Sequence, residues 1–507
     1  MKLLLTAIKG NCPETELAVR YLYSVVADAP VESDVRMYES VALDGTIYDD
    51  IVRGQYNIVY FHCDENSEYR VARLTEMIKK AMPSSIVVVG GPYPSFETKK
   101  YMVEHPYIDY VIRGEGELVL YNFLRTLLSY EFDFENVAGL GYRIDDSIII
   151  NPYEVPVTVE ELPFPYEKLE LTDTERVYYE SIRGTADRTC YSQFLPDARI
   201  RALPLNRVCT ELRYFLVKRV GTVVFLDKWF NYNTERAYRI FEYIINNDNG
   251  ETSFELNIDG DKLDEETVRL LAEARTGLFT FNIDIGSTNA EVLAAMGRRE
   301  NVYQLMYNVT KLLQTGKVKV NISIIAGLPM ETEVLFARSF NKAYGLGEGA
   351  SLNIEFLRVR RGTTLKDEAS KYGYLYSSTA PNDVIATGFM PATDLIRIKS
   401  LAYIVSRYIG DGFKQSIPRI MTDAGLKPYD LFSRLTDYIY SNGLESKMNR
   451  PENLYRIMYG FAVGVYDDVN DTLKLQLLMD ILHDDMENNL PEETVKRFEK
   501  KGWDIEA

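Results

Sequence analysis

Polar side chains occupy every second position along several apolar segments between residues 253 and 356. In residues 254–259, for example, glutamate, asparagine and aspartate alternate with phenylalanine, leucine and isoleucine. Successive side chains of a strand point to opposite faces, so the polar set would share one face. With an arginine and an aspartate from preceding segments, the predicted pocket residues are Arg183, Asp227, Glu255, Asn257, Asp259, Asn282, Asp284, Asn321 and Glu355.

Burying that many polar groups without partners would cost about 2 kcal/mol or more each. A wet or ligand-filled cavity inside a barrel is therefore the favoured interpretation. Two alternatives stay open: a solvated antiparallel sheet, and a lumen filled by its own hydrogen-bond network. The carboxylates of this set also offer the oxygen ligands that magnesium or manganese prefers, and paired carboxylates can serve as acid and base.

A second set of residues lies where predicted strands end, in turns that contain glycine. The predicted ligand-binding residues of these turns are Gly10, Asn11, His62, Asp64, Gly90, Gly91, Pro92, Gly114, Glu115, Gly116 and Glu117. Glycine lets the backbone approach a ligand closely, and ligands of open parallel sheets bind outside the carboxyl ends of the strands. Spacing alone fits equally well with glycines that only make tight turns.

Both sets belong to segments in which short apolar runs alternate with amphipathic stretches, which predicts an α/β protein. Residues 1–145 predict a Rossmann-like domain with an open parallel sheet, and the Pro-rich residues 146–175 predict a linker. Residues 176–380 hold six strand–helix steps, which favours a partial TIM-like barrel. Residues 381–507 are periodic in the manner of helices.

Composition narrows the function classes. The chain has 507 residues, with 75 acidic and 57 basic side chains and a net charge of -18. A field of this sign repels phosphate backbones and anionic lipid, so we expect neither a nucleic-acid nor a membrane partner. The absence of an apolar stretch near 20 residues long, and of a signal-peptide pattern, predicts a cytoplasmic protein. Four scattered cysteines indicate no disulfide framework.

Several motifs together resemble the cobalamin-dependent radical S-adenosylmethionine proteins. The turns at Gly90 to Pro92 and at residues 113–117 are similar to those of the family's cobalamin-binding domain. Residues 177–184 resemble the strand that leads into the family's cluster loop, residues 225–231 its second barrel strand, and residues 325–329 its fifth. The helical C-terminal part looks like an uncharacterised extra domain carried by one branch of the family. The resemblance implies a Rossmann-like cobalamin domain followed by a partial (β/α)6 barrel.

The family's cluster motif, CxxxCxxC, is where this sequence departs from the pattern. The matching positions hold Thr185, Thr189 and Ser192, so all three thiolates are replaced by hydroxyls. Iron–sulfur clusters take soft thiolate ligands, and Cys190 alone is more simply a small buried residue. From these residues we expect no iron–sulfur cluster. We also expect doubtful binding of S-adenosylmethionine, because Asn257 and Asp284 stand at the positions that the family uses near that cofactor.

Cobalamin remains a candidate cofactor. Many relatives supply a histidine ligand through a DxHxxG motif that this chain lacks, as does the branch that it resembles. The absence therefore does not exclude cobalamin held without a protein ligand. His62 ends a predicted strand and could approach a ligand there, although a packing role is the simpler interpretation.

The main functional hypothesis from the sequence is a pseudoenzyme or binding protein. It would hold a corrinoid or another small molecule, and an active homologous enzyme is a possible partner. The alternative is an enzyme, either with non-radical chemistry in the acid-lined barrel pocket or with cobalamin-dependent methyl transfer without a cluster. Two further hypotheses are a radical enzyme that uses a partner's cluster and a plain doubly wound binding module. The residues name no substrate.

Overall fold

The computed structural model describes residues 1–9, 14–129, 132–169, 171, 174–184, 189–193, 199–347, 349–468 and 472–503. The chain divides into two compact units. The first unit comprises residues 1–281, 358–370 and 376–383, and the second comprises residues 282–357, 371–375 and 384–507. Among the helices within the described ranges, none combines the length and the hydropathy that crossing a lipid bilayer requires.

A seven-stranded sheet begins the first unit. Its strands are β1 (Lys2–Ile8), β2 (Glu32–Tyr38), β3 (Ile58–His62), β4 (Ile86–Gly90), β5 (Tyr110–Ile112), β6 (Leu140–Ile144) and β7 (Ser147–Ile150). The order across the sheet is β2-β1-β3-β4-β5-β6-β7. The first five strands are parallel, and β6 and β7 add to the edge in antiparallel pairs. The order reverses between β1 and β3, which is where doubly wound sheets bind ligands.

Helices cover both faces of this sheet. They are α1 (Glu14–Val26), α2 (Asp44–Gly54), α3 (Glu68–Ala81), α4 (Pro92–Ser95), α5 (Thr98–Glu104) and α6 (Gly116–Ser129). Alternate residues of β3 enter two separate apolar cores: Ile58 and Tyr60 lie in one, and Val59 and Phe61 in the other. A strand buried on both faces needs an unbroken apolar run, and this requirement explains the sequence of β3.

The second large sheet has six strands. They are β8 (Arg176–Tyr179), β11 (Thr222–Phe225), β12 (Ser253–Asn257), β13 (Phe279–Gly286), β14 (Lys319–Ala326) and β15 (Ala350–Phe356). Short strands β9 (Ile182–Arg183) and β10 (Arg201–Ala202) form a separate antiparallel pair. The order of the large sheet is β15-β14-β13-β12-β11-β8. Strands that neighbour one another in chain order and pair in parallel are typical of a partial barrel.

Helices connect these strands, and several begin at a side chain that caps the helix. They are α7 (Leu205–Val217), α8 (Thr234–Asn246), α9 (Glu265–Ala272), α10 (Ala290–Met296), α11 (Val302–Gln314), α12 (Glu333–Tyr344) and α13 (Thr364–Asp367). The side chains of Asn233, Asp264, Asn289, Asn301 and Thr332 accept backbone N–H groups of the first turns of α8 to α12. Such residues before an amphipathic run are sequence signals for the start of a helix.

The C-terminal region is helical. Its helices are α14 (Ala392–Tyr408), α15 (Ser416–Ala424), α16 (Pro428–Ser441), α17 (Pro451–Asp468), α18 (Thr472–Asn489) and α19 (Glu492–Lys501). Strands β16 (Leu375–Tyr376) and β17 (Val384–Ala386) form a small sheet before α14.

The α/β class, the Rossmann-like first sheet, the parallel second sheet and the helical end confirm the predicted fold class. Three elements differ from the prediction. Helix α2 was not predicted, and β7 continues the first sheet to Ile150, beyond the predicted domain end at residue 145. Strand β17 lies past residue 381, where no strand was expected. These elements are short or have a mixed pattern, so their partners rather than their own periodicity define them.

Candidate cofactor site

Two glycine turns follow neighbouring strands of the first sheet. Gly91 follows β4 with a φ of +106°, and a Cβ there would lie 2.6 Å from the carbonyl oxygen of Cys63. Gly114 follows β5 with a φ of +74°, and its N–H donates to the hydroxyl of Ser95 at 3.0 Å. Glycine adopts this backbone region without steric cost. The turns therefore present backbone, rather than side chains, at the edge where a ligand would bind.

A cavity of about 250 Å³ lies at this edge. Gly91, Gly114 and Gly116 contribute to its wall from the turns, His62 from the end of β3, and Arg183 from β9. Six of the residues predicted for the loops, together with the predicted pocket residue Arg183, thus line one cavity; the loop residues are His62, Gly91, Gly114, Glu115, Gly116 and Glu117. Gly10, Asn11 and Thr185 lie outside the described residues.

Arg183 organises the charged groups of the cavity. Its Nη2 donates to Glu117 Oε1 at 2.6 Å, and its Nε donates to Glu180 Oε2 at 2.8 Å. Its Nη1 lies 3.6 Å from Glu115 Oε2, and its guanidinium lies 4.8 Å from the ring centre of Tyr21. One cation thus contacts three carboxylates, with an aromatic ring beneath it. Charge-assisted bonds of this kind are strong because they are shielded from water.

The pKa values of these carboxyls follow from their neighbours. Burial raises the pKa of Glu180, and the nearby charges of Glu117 and Glu115 act in the same direction against the opposing effect of Arg183. Burial also acts to raise the pKa of Glu115. There the hydrogen bond from Arg201 and the charge of Arg183 outweigh burial and lower the pKa below its usual value. Of these two carboxyls, Glu180 therefore holds a proton more readily than Glu115.

His62 lies at the end of β3 and is 6% exposed. Burial lowers the pKa of its imidazole to about 4, despite the opposing charges of Asp64 and Glu14. Its Nδ1 is buried and has no hydrogen-bond partner within the described ranges. The ring is therefore neutral at pH 7. It lines the cavity, and no described residue fixes its orientation through a hydrogen bond to Nδ1.

The other predicted loop residues have structural roles. The carboxylate of Asp64 accepts the backbone N–H of Asn66 and of Ser67, each at 2.8 Å, and the hydroxyl of Thr15 at 3.0 Å. Pro92 occupies the first turn of α4, where a proline is favourable. A Cβ on Gly90 would lie 2.4 Å from the hydroxyl of Tyr60.

Asp227 follows β11 and is fully buried. It accepts the N–H of Ser181 at 2.7 Å, the N–H of Ile182 at 3.0 Å and the hydroxyl of Ser181 at 2.5 Å. Burial raises its pKa to about 7, and the bonds from Ser181 oppose the rise. Asp227 therefore holds the segment between Glu180 and Arg183 in place rather than facing a ligand.

The remaining predicted pocket residues alternate with buried ones, as expected from the period of two. In the first unit, Glu255 pairs with Arg176 at 2.7 Å, Asp259 pairs with Lys262 at 2.6 Å, and Asn257 donates to the carbonyl of Asp227 at 3.3 Å. These contacts occupy the polar groups with protein partners. They match the alternative of a hydrogen-bond network in the lumen more closely than a shared cation site.

In the second unit the same alternation builds a ladder of side chains. Asn321 donates to Asn282 Oδ1 at 2.8 Å, and the hydroxyl of Ser351 donates to Asn321 Oδ1 at 2.5 Å. Asp284 pairs with Arg298 at 2.9 Å, and Glu355 is exposed. Across the described residues, three histidine or acidic side chains approach within 4.8 Å of one another at an exposed group on α18, His483, Asp484 and Glu487, which contains none of the predicted pocket carboxylates.

Residues 189–193 contain two of the three positions that match the cluster motif. The hydroxyls of Thr189 and Ser192 lie 2.5 Å apart in a mutual hydrogen bond. Burial raises the pKa of the Cys190 thiol to about 12, so this thiol stays protonated at neutral pH. A backbone bond from Leu365 to the carbonyl of Cys190, 2.8 Å long, holds the segment. These side chains do not fit an iron–sulfur cluster, which binds thiolates.

Sequence reasoning did not select several residues of the cavity. Tyr21 comes from the middle of α1, and Arg201 comes from β10 and donates to Glu115 at 2.9 Å. Glu180 lies in a segment that the sequence singled out, but not as a site residue. An acidic residue three positions before Arg183 was the available signal; nothing in the spacing indicates that Tyr21 or Arg201 would reach the same place.

Three family models match successive parts of the chain. The B12 binding domain matches residues 2–124, the radical SAM superfamily matches residues 190–342, and a family described as a protein of unknown function, DUF4080, matches residues 370–504. The third match agrees with the uncharacterised C-terminal domain that the resemblance implied.

Curated relatives match over one half of the chain or more. An uncharacterized methyltransferase, PH0819, from Pyrococcus horikoshii is 26% identical over 62% of this chain and 70% of its own length. The cobalamin-dependent radical SAM methyltransferase TokK from Streptomyces tokunonensis is 25% identical over 54% of this chain, which spans 42% of that protein. The anaerobic magnesium-protoporphyrin IX monomethyl ester cyclase of Rubrivivax gelatinosus is 24% identical over 54% of this chain and 52% of its own.

Solved structures share the architecture. The cobalamin-dependent S-adenosylmethionine radical enzyme OxsB with aqua-cobalamin bound is similar over 100% of this chain and 84% of its own, with a TM-score of 0.62 and 14% identity. The radical S-adenosylmethionine methyltransferase TsrM from Kitasatospora setae, with cobalamin and a [4Fe-4S] cluster bound, covers 75% of this chain and 76% of its own, with a TM-score of 0.59 and 16% identity. At these identities the likeness concerns the fold.

A Rossmann-like B12 binding domain followed by a parallel barrel-type sheet defines the class of corrinoid-binding α/β proteins. Within that class, the matches to residues 2–124 and 190–342 confirm the expected resemblance to the cobalamin-binding radical S-adenosylmethionine superfamily. The chain's described residues fit a ligand at the edge of the first sheet, because His62 lines the cavity and its buried Nδ1 has no hydrogen-bond partner among the described residues.

The comparisons correct the main functional hypothesis. The prediction of a pseudoenzyme is wrong, because the relatives that match these domains are methyltransferases and a cyclase. The alternative of an enzyme fits these findings better. The expectations of no cluster and of doubtful S-adenosylmethionine binding gain no support either, since TsrM contains a cluster and OxsB has been solved with S-adenosylmethionine bound.

Proposed function

We propose that this chain is an enzyme of cobalamin-dependent methyl transfer. The observation that carries the proposal is the cavity at the carboxyl ends of β3, β4 and β5, which residues of the B12 binding domain line together with residues 180–184. Two of the chain's relatives are methyltransferases. Cobalamin, when bound, would supply a carrier for the methyl group. The turns at Gly91 and Gly114 would hold it through backbone groups, and His62, Glu117 and Glu180 would face it from the cavity wall.

The residues of the chain contribute positioning and charge. Asp227 fixes the backbone of Ser181 and Ile182, which places Glu180 and Arg183 on either side of the bound segment. Arg183 then neutralises part of the acidic cluster and prevents its carboxylates from repelling one another. Burial raises the pKa of Glu180, and the charge of Arg183 and its hydrogen bond oppose the rise and so favour the carboxylate form.

The proposed methyl transfer does not depend on a cluster held by Thr185, Thr189 and Ser192. The hydrogen bond between the two described hydroxyls and the protonated state of Cys190 support this part of the proposal. We therefore derive no step through a cluster. Iron and sulfide analysis of the chain after anaerobic reconstitution checks the point: three or four irons per chain would contradict it.

The test of methyl transfer uses the full chain loaded with cobalamin under a reductant such as Ti(III) citrate. S-adenosylmethionine with a trideuterated methyl group is added, and the products are separated by liquid chromatography and mass spectrometry. We expect S-adenosylhomocysteine, which records loss of the methyl group, and none from the chain without cobalamin. Release of 5′-deoxyadenosine would show radical cleavage instead. No methyl loss at any cobalamin loading would overturn the proposal.

The variant Gly91→Ala provides a matched test of the site, with Gly250→Ala as the control. Both glycines have a positive φ, but a Cβ at Gly250 meets no atom within 4 Å. We expect loss of cobalamin and of S-adenosylhomocysteine formation in the first variant, and retention of both in the second. Equal retention in both variants would place the corrinoid elsewhere.

A further inference from the structure

Among the described residues, those that line the cavity carry more negative than positive charge. Four carboxylates, from Glu14, Glu115, Glu117 and Glu180, face one described guanidinium, that of Arg183. Arg201 adds a second cation on Glu115, where it binds the carboxylate through both nitrogens and also donates to the carbonyl of Val157. The remaining excess lies on Glu117 and Glu180.

Each of these two carboxylates uses one oxygen and keeps the other available. Glu117 accepts Arg183 Nη2 at Oε1, and Glu180 accepts Arg183 Nε at Oε2. In the part of the chain that the structure describes, no group donates to Glu117 Oε2 or to Glu180 Oε1. The side chain of Glu117 is 6% exposed and that of Glu180 is 25% exposed, and both residues line the cavity. A ligand with N–H groups would donate to these two oxygens in charge-assisted hydrogen bonds.

The size of the cavity limits what can enter. An engineered cavity of about 150 Å³ holds one benzene molecule, so about 250 Å³ accommodates a short side arm and not a whole corrin ring. The ring of cobalamin carries primary amide side chains, each with two N–H donors and a neutral charge. The same arm as a free carboxylate would bring a negative charge toward four others and would offer no donor.

We propose that Glu117 and Glu180 accept hydrogen bonds from amide side chains of the corrin ring, so that the cavity distinguishes an amidated corrinoid from one with free carboxylate arms. The inference rests on the proposed function, because it assumes that the chain binds a corrinoid. It adds which chemical form of the corrinoid the cavity prefers. It does not depend on methyl transfer, because it concerns binding alone. Arg183 has a positioning role here: it orients both carboxylates and leaves their second oxygens toward the cavity.

The test compares the affinity of the full chain for cobalamin and for cobalamin monocarboxylic acids, in which one ring amide has been hydrolysed. Equilibrium dialysis with corrinoid absorbance gives the dissociation constants at pH 7.5. We expect at least one of the monocarboxylic acids to bind about tenfold or more weakly than cobalamin, since hydrolysis removes a charge-assisted hydrogen bond and adds a negative charge. Equal binding of cobalamin and all the monocarboxylic acids would overturn the inference.

The variants Glu117→Gln and Glu180→Gln assign the preference to these residues. A glutamine removes the charge and keeps the shape of the side chain. We therefore expect the preference for cobalamin, measured as the dissociation constant of the monocarboxylic acid divided by that of cobalamin, to fall by about threefold or more. Glu180→Gln is the safer variant because Glu180 is the more exposed of the two. Glu255→Gln, which changes a carboxylate paired with Arg176 outside the cavity, is the control and should keep the ratio.

The outcomes separate this inference from the proposed function. If cobalamin binds and the ratio of the two dissociation constants does not change in either glutamine variant, these two residues do not recognise the amide groups. The inference is then wrong, and the proposed function is unaffected. If the wild-type chain binds no corrinoid at all, the proposed function fails as well. Thermal unfolding of each variant distinguishes a loss of binding from a loss of folding.

Discussion

The Nη2 of Arg183 donates to Oε1 of Glu117 over 2.6 Å, with both side chains largely buried. Arg183 comes from β9, beside the first strand of the barrel-type sheet, and Glu117 comes from the first turn of α6, behind the first sheet. The ion pair therefore joins two segments that are 66 residues apart in sequence. Its position on the cavity wall makes it both a structural link and a part of the candidate site.

Replacing Arg183 by methionine should destabilise the chain strongly. The variant leaves Glu115, Glu117 and Glu180 close together without their shared cation, and breaking a buried ion pair by removing one partner costs about 3–5 kcal/mol. Chemical denaturation followed by circular dichroism measures the loss. Arg176→Met is the control, because Arg176 is about half exposed in its pair with Glu255; it should cost about 1 kcal/mol or less. Similar losses in the two variants would contradict the role of Arg183.

The steric role of Gly91 separates from its conformational role. Gly91→Ala and Gly250→Ala both place a side chain at positive φ, which costs about 1–3 kcal/mol. Gly91→Ala must in addition displace the carbonyl oxygen of Cys63, 2.6 Å from the new Cβ. We expect a larger fall of the melting temperature in Gly91→Ala, measured by calorimetry without a corrinoid. An equal fall would mean that the turn relaxes freely.

Glu331 should make stability depend on pH. It follows β14 in the second unit and is fully buried, and its two carboxyl oxygens accept no hydrogen bond from the described residues. Burial raises its pKa to about 8. The folded state therefore holds its proton over a range in which the unfolded state, with an ordinary carboxyl pKa, has lost it. By linkage, this group contributes a stability that is complete below about pH 4.5 and declines as the pH rises toward 8.

The variant Glu331→Gln removes that dependence. We expect the free energy of unfolding of the variant, relative to that of the wild-type chain, to rise by a few kcal/mol between pH 5 and pH 8.5. Each unit of pKa shift corresponds to about 1.36 kcal/mol. Urea denaturation at several pH values measures the gain. Glu291→Gln, which alters an exposed carboxyl, should follow the wild-type curve. Parallel curves for wild type and Glu331→Gln would show that Glu331 has an ordinary pKa.

His62 should not ligate the cobalt of a bound corrinoid. A histidine that binds a metal nearly always donates its other N–H to an acceptor, and Nδ1 of His62 has no such partner among the described residues. The chain has three histidines, so labelling them with 15N is selective. Electron paramagnetic resonance of bound cob(II)alamin should show the same nitrogen splitting with and without the label. A change from a three-line to a two-line pattern would identify a histidine ligand, and His62→Ala would assign it against His105→Ala.

The sequence by itself determined the alternation that defines the fold. Apolar runs buried on both faces predicted the parallel strands of the first sheet, and the period of two predicted which residues of β12, β13 and β14 are buried. These patterns depend on local geometry, because the direction of each side chain follows from its place in the strand. The glycine turns after β4 and β5 were equally visible, since positive φ limits the residue type.

Tertiary structure decided which polar groups meet. Glu255 and Asp259, predicted to line a pocket, pair instead with Arg176 and Lys262. Tyr21 lines the cavity and Arg201 binds the carboxylate of Glu115 in its wall, although both come from segments that carry no motif. Long charged side chains reach partners that only the packing of distant segments brings near, so spacing along the chain does not encode them. For the same reason Asp227, which the sequence predicted to line the pocket, instead accepts the backbone N–H of Ser181.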